Sequence, residues 1–226
     1  MPRVRRRRTA YSFKDSHECS SREYSFAVRL EWQTSLPGWD STAGRSYARS
    51  HRFELDEASW VDHCPGWLGD SDELMAELAA CPGWTQRERP MYDAMVVEPR
   101  LVKGWRQGEM PEPLEDLRGC LSKRYGVVFD SVHVNLYRSG ADSVAWHGDT
   151  VRKVLREPLV AIVSLGERRR FLLRRRGGGP TAKSFALGGG DLLVMGGACQ
   201  QLWEHCVPKT ARHVSPRMSV TFRHST

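Results

Sequence analysis

From Val127 onward the chain is punctuated as a succession of short β-rich runs. Val127 to Tyr137, Leu159 to Leu165, Arg170 to Arg174, Ser184 to Leu187, Asp191 to Met195 and Met218 to Phe222 are separated by clusters of Gly, Pro and Asp. Runs this short bury their apolar sides only by pairing into sheets, and two sheets packed face to face cover the apolar side of each. Two helices precede them. Asp70 or Ser71 can cap a helix carrying Leu74, Met75, Leu78 and Ala79 at helical spacing, which Pro82-Gly83 ends. The second covers Pro113 to Tyr125, with Leu114, Leu117 and Leu121 on one stripe and Glu115 and Asp116 in a first turn that suits the helix dipole. Phe53 to Trp60 reads as one strand ahead of both. The expected fold class is α+β, a jelly roll core with the N-terminal helices packed on it.

Residues 1–50 open with five Arg between Pro2 and Arg8 and are rich in Ser and charge, which predicts a basic, partly ordered N-terminal arm; residues 51–226 form the catalytic-sized domain. No run approaches the eighteen or so apolar residues of a membrane span, and the N-terminus is Arg-rich instead of apolar. The expectation is a cytoplasmic protein, although a short Arg run also serves as a nuclear address in a eukaryote. The formal net charge of +7 favours a polyanionic partner. The charge is clustered: Arg168 to Arg176 holds six Arg, whereas Glu54 to Glu77 holds eight acids and no Lys or Arg.

Two features resemble functional motifs and fall short. Gly177-Gly178-Gly179-Pro180-Thr181-Ala182-Lys183-Ser184 has Ala182 where a phosphate-cradling loop needs Gly before its Lys, and no helical pattern follows. The six Cys form no C-x-x-C pair, so they read as reduced thiols, mostly in the core. The Arg cluster has the period of a strand, with Phe171 and Leu173 on one face and Arg170, Leu172 and Arg174 on the other. It is either a solvated basic edge or a contact to a nucleic-acid backbone.

The residues that carry chemistry begin at His147-Gly148-Asp149, where extended backbone puts imidazole and carboxylate on the same side. His205 follows after several strands able to fold it back beside the pair. Two His and one carboxylate describe the facial triad of non-heme Fe(II) oxygenases, which leaves positions open for a cosubstrate and oxygen. A dicarboxylate cosubstrate needs a cation at its far end. Arg217 and Arg223 share one side of a strand with Ser219 and Thr221; either the polar face lines such a site or the strand lies on the surface. Asn135 and Tyr137, two apart, could add neutral hydrogen bonds to the same ligand.

Taken in order, Asn135-Leu136-Tyr137-Arg138-Ser139-Gly140, His147-Gly148-Asp149, Ser164-Leu165-Gly166, Gly190 to Met195, Trp203-Glu204-His205 with Pro208-Lys209, and Arg217 to Arg223 resemble the AlkB family of Fe(II)- and 2-oxoglutarate-dependent nucleic-acid dealkylases. The resemblance covers about residues 52–226 and implies a double-stranded β-helix. It implies that His147, Asp149 and His205 bind Fe(II) and are catalytic. It also implies that Arg217, helped by Tyr137, grips the far carboxylate of 2-oxoglutarate, while Asn135 and Arg223 lie near the metal-bound end. Ser219 stands where the family usually has Asn, and one hydrogen bond remains available from it.

The implied activity is oxidative dealkylation of N-alkylated bases in DNA, consuming O2 and 2-oxoglutarate and releasing aldehyde, succinate and CO2. The alternatives are an RNA demethylase of the same chemistry, or a protein or small-molecule hydroxylase on the same fold. Val151 stands where several family members carry an acid against the damaged base; it cannot offset a cationic lesion, so the resemblance leaves the preferred lesion open, with a neutral adduct such as an etheno base among the options. Trp105 and Tyr92 are the candidates for stacking on the base. Arg100, Arg169, Arg174 and the N-terminal arm are the candidates for phosphate contacts. The expected partner is alkylated DNA, single-stranded or with a flipped base, met by a monomer.

Overall fold

The computed structural model describes residues 44–91, 94–106, 108–149 and 157–224. Its elements, in chain order, are β1 (His51–Asp56), β2 (Ser59–Cys64), α1 (Ser71–Ala80), β3 (Glu88–Met91), β4 (Ala94–Val97), β5 (Leu101–Arg106), α2 (Glu112–Tyr125), β6 (Ser131–Tyr137), β7 (Val144–His147), β8 (Val160–Gly166), β9 (Arg169–Arg175), β10 (Lys183–Leu187), β11 (Leu192–Gly197), α3 (Cys199–Leu202), β12 (Trp203–Val207) and β13 (Arg217–Arg223). Among the described residues no helix is long and apolar enough to cross a membrane.

Both long helices form where the apolar spacing places them. Asp70 takes the N-cap position of α1, although its side chain makes no capping bond. Pro113 sits in the first turn of α2, and Gly126 closes that helix in the left-handed region at φ 70°, donating its N–H to the Ser122 carbonyl. The single strand expected over Phe53 to Trp60 is instead a hairpin. Asp56 accepts a hydrogen bond from the Ala58 N–H at 2.9 Å, a local turn that reverses the chain between β1 and β2. The packed chain also begins before His51: Arg45 bridges to Leu68, and the Tyr47 ring lies 5.9 Å from that of Trp67.

The strands form a seven-stranded antiparallel sheet, β1-β2-β11-β8-β13-β6-β5, a four-stranded one, β10-β9-β12-β7, and the separate hairpin β3-β4. β8 and β11, in the middle of the large sheet, carry apolar residues on both sides and divide them between two cores, whereas β13 gives its even-numbered residues to one core only. Ala161, Val163 and Leu165 of β8 and Met218, Val220 and Phe222 of β13 share one buried cluster with Leu74 and Leu78 of α1 and Leu114, Leu117 and Leu121 of α2. Val160 and Ile162 of β8 join the second cluster, with Phe171 and Leu173 of β9, Phe185 and Leu187 of β10 and Val207 of β12. The second core therefore lies between the sheets, in the double-sheet arrangement of a jelly roll. Leu117 is fully buried in the first. Leu117→Ala should cost about 2–5 kcal/mol in a urea melt, and a loss under roughly 1 kcal/mol would contradict this packing.

Candidate metal and cosubstrate site

β12 and β7 pair antiparallel with His205 directly opposite His147, and the two rings lie 4.3 Å apart. Asp149 follows two residues after β7 ends. One ligand atom from each of His147, Asp149 and His205 falls within 4.8 Å of the others. The Nδ1 of His147 is 2.8 Å from the Ala145 carbonyl, so the Nδ1–H donates there and Nε2 keeps its lone pair for a metal. Phe171 stacks on the His205 ring at 5.0 Å and fixes its plane.

The two oxygens of Asp149 have different surroundings. Oδ1 accepts from Arg223 Nε at 2.8 Å and from Nη2 at 2.5 Å. Oδ2 is buried without a hydrogen-bond partner and lies 3.5 Å from His205 Nε2. Burial raises the Asp149 pKa, but Arg223, His205 and His147 outweigh it and hold the carboxyl below its ordinary range. Burial, then His147, push the His205 imidazole down to about 3. The close approach of Oδ2 to Nε2 is therefore no ion pair near neutral pH; an ionised carboxylate and a neutral imidazole converge on one point. A buried, unpartnered carboxylate oxygen is costly, and a divalent cation at that point would satisfy it.

The neutral rings make stability depend on pH. Burial, Arg223 and Arg87 push the His133 imidazole down to about 4. Below the ordinary imidazole value of 6.5 the unfolded chain takes up protons that folded His205 and His133 refuse, so stability falls with pH from there toward 4. His205 alone contributes roughly 1 kcal/mol per pH unit. A urea midpoint of the metal-free protein that stays flat from pH 7 to about 4.5 would contradict it.

Arg217, fully buried at the start of β13, adjoins the cavity through two of its lining residues, Ser219 and Tyr137. Its Nε donates to Ser164 Oγ at 3.2 Å and its Nη1 to Ser219 Oγ at 2.7 Å, while Nη2 is buried with no hydrogen-bond partner. The guanidinium centre is 5.3 Å from the Tyr137 ring. No carboxylate among the described residues pairs with Arg217, and burial pushes its pKa down. A buried guanidinium with a free N–H is complementary to a carboxylate brought in from outside. Asn135, Tyr137, Ser219 and Arg223 line the same cavity as the three candidate ligands.

The residues expected to meet the substrate fare differently. Trp105 pairs with Val132 across β5 and β6, so it faces the helices and packs on their core, with Lys103 Nζ 4.9 Å above its ring. It cannot stack on a base at the cavity. Arg169 is 4% exposed, and its guanidinium donates to the carbonyls of Ser139, Asp142 and Pro208; it ties loops together and has no free edge for a phosphate. The Arg100 side chain is 14% exposed, pairs with Glu98 at 2.7 Å and donates to Asn135 Oδ1 at 3.2 Å, so it backs a cavity residue instead of meeting a phosphate. Arg174 pairs with Glu204 at 2.6 Å and covers the Trp146 ring at 4.2 Å. Val151 and Tyr92 lie outside the described residues.

Two residues not singled out by the sequence reading belong to the site. The Nδ1 of His133 is 2.8 Å from Arg223 Nη1, on the far side of that guanidinium from Asp149. Its period-two relation to Asn135 and Tyr137 was the signal available. Gln200 accepts the Asp149 N–H on its Oε1 at 3.0 Å. It sits on the four-residue α3, which has no sequence signal of its own.

Comparison with known proteins agrees with this geometry. Residues 9–223 match the sequence profile of the 2OG-Fe(II) oxygenase superfamily. The Bos taurus alpha-ketoglutarate-dependent dioxygenase alkB homolog 3 is 33% identical over 185 residues, which span 71% of this chain and 64% of the relative. The Arabidopsis thaliana DNA oxidative demethylase ALKBH2 is 33% identical over 134 residues, 49% of this chain and 43% of the relative. The chain thus spans just under two thirds of the alkB homolog 3 proteins that it matches. The solved structure of OsALKBH1 superposes with a TM-score of 0.53 at 15% identity, covering 77% of this chain and 100% of that one, which is a likeness of fold.

Proposed function

Because the chain belongs to the 2OG-Fe(II) oxygenase superfamily, we propose that it removes alkyl groups oxidatively from the nitrogens of nucleic-acid bases, with DNA as its substrate. The observation that carries this reading is the pair of buried, unpartnered atoms of opposite charge, Asp149 Oδ2 at the cavity and Arg217 Nη2 behind its lining residues Ser219 and Tyr137. They match the two demands of the cosubstrate chemistry, a metal at one end and an anion at the other. The DNA substrate rests on similarity to relatives named for alkB and for DNA oxidative demethylation.

In this reading His147, Asp149 and His205 hold Fe(II), and Arg217, with Ser219 and Tyr137 beside it, receives the far carboxylate of 2-oxoglutarate. Bound there, Fe(II) and 2-oxoglutarate would supply with O2 the chemistry that oxidises the C–H bond next to the alkylated nitrogen, with succinate, CO2 and an aldehyde as the products. The protein's own part is placement. Arg223 occupies one carboxylate oxygen of Asp149 and so reserves the other for the metal, and Phe171 and the Ala145 carbonyl orient the two imidazoles. An alkylated ring nitrogen faces the inside of a duplex, so the substrate is a single strand or a flipped base. The net charge of +7 favours its phosphates, and outward arginines such as Arg170 replace Arg169 as the candidate contacts.

The test is mass spectrometry of a single-stranded oligonucleotide bearing N1-methyladenine or N3-methylcytosine, incubated with protein, Fe(II), ascorbate and 2-oxoglutarate, beside its RNA counterpart. Loss of one methylene mass only in the complete mixture is expected. Succinate without that loss, on methyl and etheno bases alike, would overturn the substrate; absence of both products would overturn the iron site.

A further inference from the structure

We propose that Gln200 is a positioning residue for the metal centre, its side-chain amide fixing the backbone of Asp149 and so the direction in which the unpaired carboxylate oxygen points. The inference rests on the metal-site reading above and concerns how the site is held together.

Asp149 needs an external hold. It lies beyond the end of β7, follows a glycine, and has no ladder bond of that strand to fix it. Its buried N–H is satisfied from 51 residues away, by Gln200 Oε1. Gln200 is 4% exposed, and the other end of its amide donates to Met195 Sδ at 3.8 Å, so both ends are engaged and the amide cannot turn freely. Burying a primary amide is unfavourable unless its hydrogen bonds are made, and among the described residues its one strong bond is spent on a metal ligand's backbone.

α3 is itself pinned from outside. Arg176 donates from Nη2 to the Gln200 carbonyl at 2.7 Å and from Nε to the Gln201 carbonyl at 2.8 Å. Its guanidinium lies against Gly148, where a β-carbon would displace Nη2 and crowd the Gln200 carbonyl, so a larger residue in the His-Gly-Asp triplet would disturb this hold. The segment that Arg176 pins runs straight into β12 and His205. One short stretch of chain therefore delivers one ligand as a side chain and holds a second through its main chain. A shift of α3 would move both together.

The test is Mn(II) binding by the full chain, read from the loss of the free-ion EPR signal, with thermal melting of the metal-free protein alongside. Gln200→Met keeps length and packing but removes the acceptor; the Mn(II) Kd should weaken by about 10- to 100-fold, the range for supporting partners of metal ligands. Gln200→Glu keeps an acceptor, ionised or protonated, and should recover most of the loss, which a packing role would not predict. If Gln200→Met does not fold, Arg176→Ala, a change at an exposed side chain, should still weaken binding several-fold. Folded Gln200→Met protein binding Mn(II) within twofold of the parent would overturn the proposal, as would an unchanged Kd in Arg176→Ala when only that variant folds. A parent chain that binds no Mn(II) would instead overturn the metal centre itself, and Gln200's role with it.

Discussion

Asp149→Ala is expected to bring 2-oxoglutarate turnover and dealkylation down to the level of a metal-free control while leaving salt-sensitive DNA binding in place. The variant removes one of three metal ligands, and the two imidazoles that remain have no anion to offset a dication. The fold should survive, because Arg223 is partly solvated and keeps its contact with His133. Fluorescence anisotropy with labelled single-stranded DNA at two salt concentrations, run beside succinate release, separates the two properties. Undiminished product formation would refute the assignment of the metal site.

The second large effect has opposite signs in two assays. Arg217→Met should cost about 3–5 kcal/mol of 2-oxoglutarate affinity, two to three or more powers of ten in Kd, because a carboxylate would enter a buried site with its cation removed. The same change should leave the melting temperature of the cosubstrate-free protein unchanged or raised. A fully buried guanidinium whose Nη2 has no hydrogen-bond partner is itself unfavourable, and an unbranched apolar side chain of similar length relieves it. Parallel thermal melts with and without 2-oxoglutarate would show the cosubstrate's stabilisation disappearing. A 2-oxoglutarate KM within tenfold of the parent would remove Arg217 from the site.

The triplet His147-Gly148-Asp149 and the polar parity of Arg217 to Arg223 were legible because extended backbone fixes the side on which every second residue lies. The strands that carry the ligands were not. β7 reads Val-Ala-Trp-His and β12 reads Trp-Glu-His-Cys-Val, neither a β-branched run; β12 is a strand because β7 and β9 flank it, and β7 because β12 gives it a partner. Parity also explains which substrate residues were misassigned. Arg169 falls on the side of Phe171 and Leu173, so its inward course was readable from the alternation that placed those two. The side that Trp105 takes depends on the register of β5 against β6, which is a property of the folded sheet and of no single segment. Arg100 meets Asn135 across 35 residues, and nothing local encodes that contact.

β13 has one face in the helix-side core and the other in the cavity, with no residue free of both duties from Met218 to Arg223. Abundance and chemistry are consequently written on the same short run of letters in alternate beats. A deep mutational scan of this strand, scored once for folded yield and once for cosubstrate affinity, should give two saw-tooth traces half a period out of step. Adapting the cavity to a new cosubstrate then means editing only the odd-numbered letters, and each such edit is hemmed in by even-numbered neighbours that tolerate almost none.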